Sequence, residues 1–155
     1  MAATDAAGRF RAAVAVYGIL SDDNGRALLL RRAGSGYHDG ELSLPAGHVD
    51  GGEDVLSALL RELREEITIE ADRSSCRLVL VAHRSPEYPD DDEYIDLFFA
   101  VGDWAGTPSI GEPERCSELV WAPRDSLPDD VIPYVADALR AARSGDRLLP
   151  VGWST

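Results

Sequence analysis

A chain of 155 residues with 28 acidic and 15 basic residues carries a net charge of −13, and its length suits one domain with a proper core. That charge argues against nucleic acid as the main partner, because phosphate backbones attract basic stripes. A small phosphorylated ligand is still allowed, since a bound cation reverses the local sign.

Residues 1–9 read as a loose lead-in. They hold no long apolar run, so neither a secretory signal nor a membrane span is expected, and the protein is expected to be soluble and cytoplasmic. Arg11 to Leu20 is largely apolar, the pattern of a buried strand. Ser21 to Gly25 is a turn marked by Asn24-Gly25, and Arg26 to Arg32 returns as the partner strand. Gly34 to Gly40 is a flexible loop, followed by a short strand over Leu42 to Ala46. From Glu53 to Ile67 no Pro or Gly interrupts a run of good helix formers. Cys76 to Arg84 and Tyr94 to Val101 are strands separated by the acidic loop Pro86 to Glu93. Trp104 to Pro108 turns, and Cys116 to Ala122 is a further strand. A second helix runs over Val131 to Arg143, with Pro133 in its first turn. Cys76 and Cys116 lack metal-ligand spacing and call for no disulfide. This order predicts a single α/β domain over 1–155 with a mixed central sheet.

Wound at roughly 100° per residue, the first helix gathers Leu56, Leu59, Leu60, Leu63 and Ile67 into one apolar stripe. Glu62, Glu65 and Glu66 fall together on another face, because positions i, i+3 and i+4 lie about 5–6 Å apart. Like charges at that spacing repel by about 0.2–0.5 kcal/mol per pair. A hard divalent cation reverses the sign, since Mg²⁺ or Mn²⁺ seeks carboxylate oxygens. Ala58 is expected to leave the approach to these acids open. The plainer alternative is a solvated face on which Arg61 and Arg64 balance the acids.

The upstream spacing adds to this. Gly47, five residues, Glu53, seven residues, then Arg61-Glu62-Leu63-x-Glu65-Glu66-x-x-Ile69 resembles the Nudix box, G-x5-E-x7-R-E-U-x-E-E-x-G-U with U aliphatic. Eight of the nine fixed places match; Thr68 stands where the family has Gly. That glycine ordinarily closes the helix in a left-handed conformation, so Thr68 is expected to cost about 1 kcal/mol. The resemblance implies an α/β/α sandwich that hydrolyses a nucleoside diphosphate linked to another group X, with Mg²⁺ or Mn²⁺ as cofactor. Carried over residue by residue, it makes Glu62, Glu65 and Glu66 the metal ligands, with a backbone carbonyl near Ala46-Gly47. Arg61 would orient a glutamate and Glu53 would brace the loop. Any of the three box glutamates is left open as the base that accepts a proton.

Outside the box each residue carries two readings. Glu112 and Glu114 fall where many family members hold an extra acid near the metals, or form an exposed acidic loop. Arg32 and Arg84 end strands and hold phosphate or surface salt bridges. Tyr17, Tyr37, Tyr94 and Trp121 stack a base or pack in the core, and His48, in the box loop, meets phosphate. The segment Glu112 to Trp121, followed by Leu127-Pro128, is similar to Nudix proteins that cleave nucleoside triphosphates, which tilts the expected substrate that way. ADP-ribose, another nucleotide sugar and dinucleoside polyphosphates are the rival substrates. Two readings of another class are a Nudix-fold isomerase, which needs a cysteine with neighbours that Cys76 and Cys116 lack, and a non-catalytic nucleotide-binding module. A small-molecule nucleotide is the expected partner, with no membrane, and a homodimer is allowed.

Overall fold

The computed structural model describes residues 2–154. In chain order the elements are β1 (Ala13–Leu20), β2 (Arg26–Arg32), β3 (Leu42–Ser43), β4 (Ala46–His48), α1 (Val55–Ile67), β5 (Glu70–Ala71), β6 (Cys76–Arg84), β7 (Tyr94–Val101), β8 (Trp104–Ala105), β9 (Cys116–Pro123), α2 (Pro133–Arg143) and β10 (Leu148–Val151). The central sheet has the order β10-β6-β7-β1-β4. It is mixed: β1 runs parallel to β7 and β10 parallel to β6, while β4 and β6 are antiparallel to β1 and β7. A second sheet, β3-β2-β9, is antiparallel throughout.

Alternation along β1 explains the layers. Ala15, Tyr17 and Ile19 join the core packed by Val135, Ala138 and Leu139 of α2. Val16 and Leu20 join the core packed by Leu59, Leu63 and Ile67 of α1. Successive strand residues point to opposite faces, so the two helices flank the sheet in an α/β/α arrangement. Among the described residues no helix is long and apolar enough to cross a membrane.

Four expectations change. First, β2 is not the hairpin partner of β1; beyond the bridge Ser21–Ala27, it pairs with β3 and β9. A turn signal fixes a chain reversal but not the pairing, and both edges of β1 are taken by β7 and β4. Second, the stretch Leu42 to Ala46 is two strands in two sheets. Pro45 cannot donate to a ladder, and the break moves the chain from β2 across to β1, where the Pro45 carbonyl accepts from Gly18. Third, within the lead-in, residues 4–10 make a tight turn: the Asp5 carboxylate accepts from the amides of Ala7 and Arg9, and Thr4 bridges Phe10. Fourth, Ala58 is fully buried, part of the α1 core rather than a clearance beside the acids.

Helix α1 starts at Val55 because Asp54 caps it, accepting from the amides of Leu56 and Ser57 at 3.0 Å each. Hydrogen bonds from Ser57, with Arg73 behind them, hold the Asp54 carboxyl well below the usual carboxylate range. At the other end Thr68 takes the left-handed conformation, φ 58° and ψ 34°, and donates its amide to Arg64. The box position keeps its geometry without its glycine, and the Thr68 hydroxyl bonds to Ser109. Left-handed backbone costs an L-residue about 1–2 kcal/mol. Against this, Thr has less unfolded freedom than Gly, about 0.4–1 kcal/mol, and its hydroxyl bond adds about 0.5–1 kcal/mol. Thr68→Gly is therefore expected to leave the unfolding free energy within about 1 kcal/mol of wild type in a urea titration. A loss beyond about 2 kcal/mol would show that the hydroxyl holds more than Ser109.

Candidate active site

Crossing from β3 to β4 sets Ala46, Gly47 and His48 beside α1. Arg61 ties this strand, the Asp50–Glu53 turn and the helix together. Its guanidinium donates to Glu53 Oε1 at 2.7 Å and Oε2 at 3.2 Å, to Glu62 Oε1 at 2.8 Å and to the His48 carbonyl at 3.2 Å. Asp50 and Glu65 lie at 3.4 and 3.5 Å from it. Glu53 also accepts from the Asp50 amide, and the Arg61 bonds hold its carboxyl below the ordinary value.

Glu62 lies directly over Gly47: a Cβ at position 47 would sit 2.0 Å from its carboxyl carbon. Glu66, one turn on, accepts from the Ala46 amide at 3.3 Å. Burial pushes both carboxyls up, despite Arg61 for Glu62, and the charges of Glu62 and Glu112 push Glu66 further. Glu112 arrives on a segment docked at the end of α1, where Gly111 donates to the Glu66 carbonyl at 2.9 Å. Glu65 is far more open to solvent, with 49% of its side chain accessible against 14% for Glu62.

The donor set suits a hard divalent cation. It consists of carboxylate oxygens and a strand backbone, and the mutual repulsion of Glu62 and Glu66 is what such an ion would relieve. Among the described residues no three His, Cys, Asp or Glu side chains converge to enclose an ion alone. An ion here would complete its shell with water and substrate oxygens, as Mg²⁺ commonly does.

Glu62, Glu65, Glu66 and Glu112 line a cavity of about 600 Å³. All five tyrosines of the chain line the same cavity. Tyr17 is buried and stacked on Phe98 at 4.4 Å, with its hydroxyl 3.1 Å from that of Tyr134. Trp121 lies outside the cavity, packed against the α1 core. His48 stacks on Tyr94 at 5.7 Å, and its Nε2 lies 3.2 Å from the Tyr94 hydroxyl.

Arg84 lines the cavity but is not a surface salt bridge. It is 4% exposed, donates to Asp96 at 2.8 Å and to Glu87 at 3.1 Å, and is sandwiched between the rings of Tyr94 and Tyr134 at 4.3 and 4.1 Å. Its charge orders the aromatic wall. Tyr37 bonds to Glu87 through its hydroxyl and receives Arg32 on its carbonyl at 2.8 Å. Glu114 is absent from the lining, while its neighbours Glu112 and Arg115 are present. Tyr88, Tyr134, Asp50 and Arg115 complete the site, although no sequence signal singles them out. Tyr134 and Arg115 reach it only through the packing of distant segments.

The family described as NUDIX domain matches residues 9–142. The 8-oxo-dGTP diphosphatase of Escherichia coli (strain K12) is 31% identical over 126 residues, covering 79% of this chain and 93% of that protein. A MutT NUDIX hydrolase from Burkholderia pseudomallei superposes with a TM-score of 0.75 at 28% identity, over 84% of this chain and 97% of the other. The NUDIX domain of Shewanella oneidensis NrtR, solved with ADP ribose, superposes with a TM-score of 0.69 over 91% of this chain and 92% of its own. At 16% identity that last likeness is one of fold.

Proposed function

The chain belongs to the NUDIX family of pyrophosphohydrolases, and on that premise we propose that it hydrolyses a (deoxy)nucleoside triphosphate to the monophosphate and pyrophosphate, using Mg²⁺ or Mn²⁺. The observation that carries the reading is the presence of Glu62, Glu65, Glu66 and Glu112 together in the lining of a tyrosine-rich cavity of about 600 Å³, within the usual range for small-molecule sites. The triphosphate preference draws on the likeness to the E. coli diphosphatase.

Glu62, Glu65 and Glu66, with Glu112 and the Gly47 carbonyl, would hold the metal. When bound, such a cation neutralises phosphate charge and lowers the pKa of coordinated water. Arg61 positions the Glu62 carboxylate, and Glu53 keeps Arg61 and the Asp50 turn in place. One of the box glutamates takes a proton from the attacking water as its oxygen bonds to phosphorus. The bridging P–O bond between the α- and β-phosphates breaks, and its electrons leave with the nucleoside monophosphate when water attacks the β-phosphorus or with pyrophosphate when it attacks the α-phosphorus. Tyr88, the exposed tyrosine of the lining, offers ring surface to a base, and stacking of that kind contributes about 1–3 kcal/mol per base.

A product-release screen with Mg²⁺ across nucleoside triphosphates, ADP-ribose, nucleotide sugars and dinucleoside polyphosphates tests this reading. Triphosphates are expected to give the highest kcat/KM, and Glu65→Gln to lower it by at least about tenfold. Equal turnover by wild type and variant would remove the acids from the mechanism. A preference for ADP-ribose would move the substrate assignment to nucleotide sugars.

A further inference from the structure

Three arginines line the cavity, and their bonding states differ. Arg84 is committed to Asp96 and Glu87. Arg32 donates only to neutral oxygens, the Tyr37 carbonyl at 2.8 Å and Ser35 Oγ at 3.0 Å. Among the described residues, the Arg115 guanidinium has neither an ion pair nor a hydrogen bond, although the chain has nearly twice as many acids as arginines. Glu112, Glu114 and Glu118 are all close to it in sequence.

The backbone sets Arg115 beside Arg32. The Ala33 amide donates to the Arg115 carbonyl at 2.9 Å, and Arg32 is paired with Cys116 next to an irregularity in the β2–β9 register. The same turn joins Arg115 to the acidic side, because the amides of Arg115 and Cys116 both donate to the Glu112 carbonyl. One short segment thus brings an acid and, three residues later, an uncommitted arginine to the cavity lining that also holds Arg32.

Such a pair matches a phosphate with several free oxygens, since guanidinium forks bind phosphate bidentately. A linkage capped by a sugar presents less charge there than a polyphosphate with a free end. We propose that Arg115, together with Arg32, binds the phosphate beyond the scissile linkage and makes the site selective for a substrate ending in a free phosphate. This inference rests on the hydrolase reading of Glu62, Glu65 and Glu66.

The test is steady-state kinetics in Mg²⁺ with a nucleoside triphosphate and a nucleoside diphosphate sugar, on wild type, Arg115→Ala and Arg115→Lys. Inhibition by inorganic pyrophosphate and by nucleoside monophosphate is measured alongside. For Arg115→Ala, KM for the triphosphate is expected to rise by about 10- to 100-fold with kcat changed far less, the scale of one charge-assisted hydrogen bond. Its kcat/KM ratio of triphosphate to sugar is expected to fall by a similar factor. Pyrophosphate inhibition weakens, monophosphate inhibition holds, and Arg115→Lys recovers part of the loss. Unchanged thermal unfolding separates this from misfolding, as the residue is exposed. Equal losses on both substrates, or undiminished pyrophosphate inhibition, would overturn the proposal while the hydrolase reading stands. Turnover of the sugar alone by wild type would overturn it in the same way. Wild type inactive on every phosphoanhydride would overturn both.

Discussion

Glu66→Gln is expected to lower kcat by about a thousandfold or more in Mg²⁺ while making the metal-free protein more stable. The first half follows from the proposed role: a carboxylate that holds the ion or takes the proton contributes about 10²–10⁴-fold through proton transfer alone, with several kcal/mol more from charge stabilisation. The second half follows from the electrostatics. Glu66 accepts one amide hydrogen bond, from Ala46, and stands near Glu62 and Glu112 without an ion pair among the described residues. Glutamine keeps an acceptor for that amide and removes the repelled charge. With the i,i+4 repulsion of about 0.2–0.5 kcal/mol strengthened by burial, a gain of about 1 kcal/mol is expected in EDTA. Thermal melts with and without millimolar Mg²⁺ check both halves. Wild type gains stability from the ion by mass action, and Glu66→Gln gains much less. An inactive variant less stable than wild type in EDTA would mean that Glu66 braces the fold.

The parts of this site that are legible in the sequence are those built by local geometry. Helical winding alone predicts that Glu62, Glu65 and Glu66 share a face distinct from the stripe of Leu59, Leu63 and Ile67, and the last three are fully buried. The motif that the sequence resembles marks Gly47 and Glu53, which the structure sets beside Glu62 and Arg61. What is illegible depends on pairing between distant segments. Arg84 reaches the cavity because β6 pairs with β7, which sets Arg84 opposite Tyr94, and because α2 brings Tyr134 over its guanidinium. Arg115 reaches it through the β2–β9 register. Strands β5 and β8, two residues each, are too short to show any periodicity. Thr68 is an intermediate case: the sequence locates a helix end under strain, but the Ser109 hydroxyl that answers it lies 41 residues away.

Gly47→Ala is expected to cost activity without costing the fold. The Cβ would fall 2.0 Å from the Glu62 carboxyl carbon and 2.2 and 2.4 Å from its two oxygens, distances at which something must move. Gly47 is not among the positive-φ glycines, so an L-residue fits its backbone and the conflict is one of space. The obstructing atoms are the end of a flexible side chain, which can swing away for about 0.5–1.5 kcal/mol of rotamer strain. Moving it breaks the 2.8 Å bond from Arg61 and shifts the carboxylate that the proposed chemistry needs. A misplacement of about 1 Å at a reacting centre can lower rate by about a hundredfold, so kcat/KM is expected to fall by about 10²–10³ with urea unfolding within about 1.5 kcal/mol of wild type. Gly111→Ala provides the contrast, because its Cβ would meet the Glu65 backbone carbonyl at 2.1 Å, an obstacle that cannot rotate away. That variant is expected to lose stability together with activity. If Gly47→Ala instead kept full activity, the Glu62 carboxylate would not need the place it occupies over β4, and its role as a ligand would be lost.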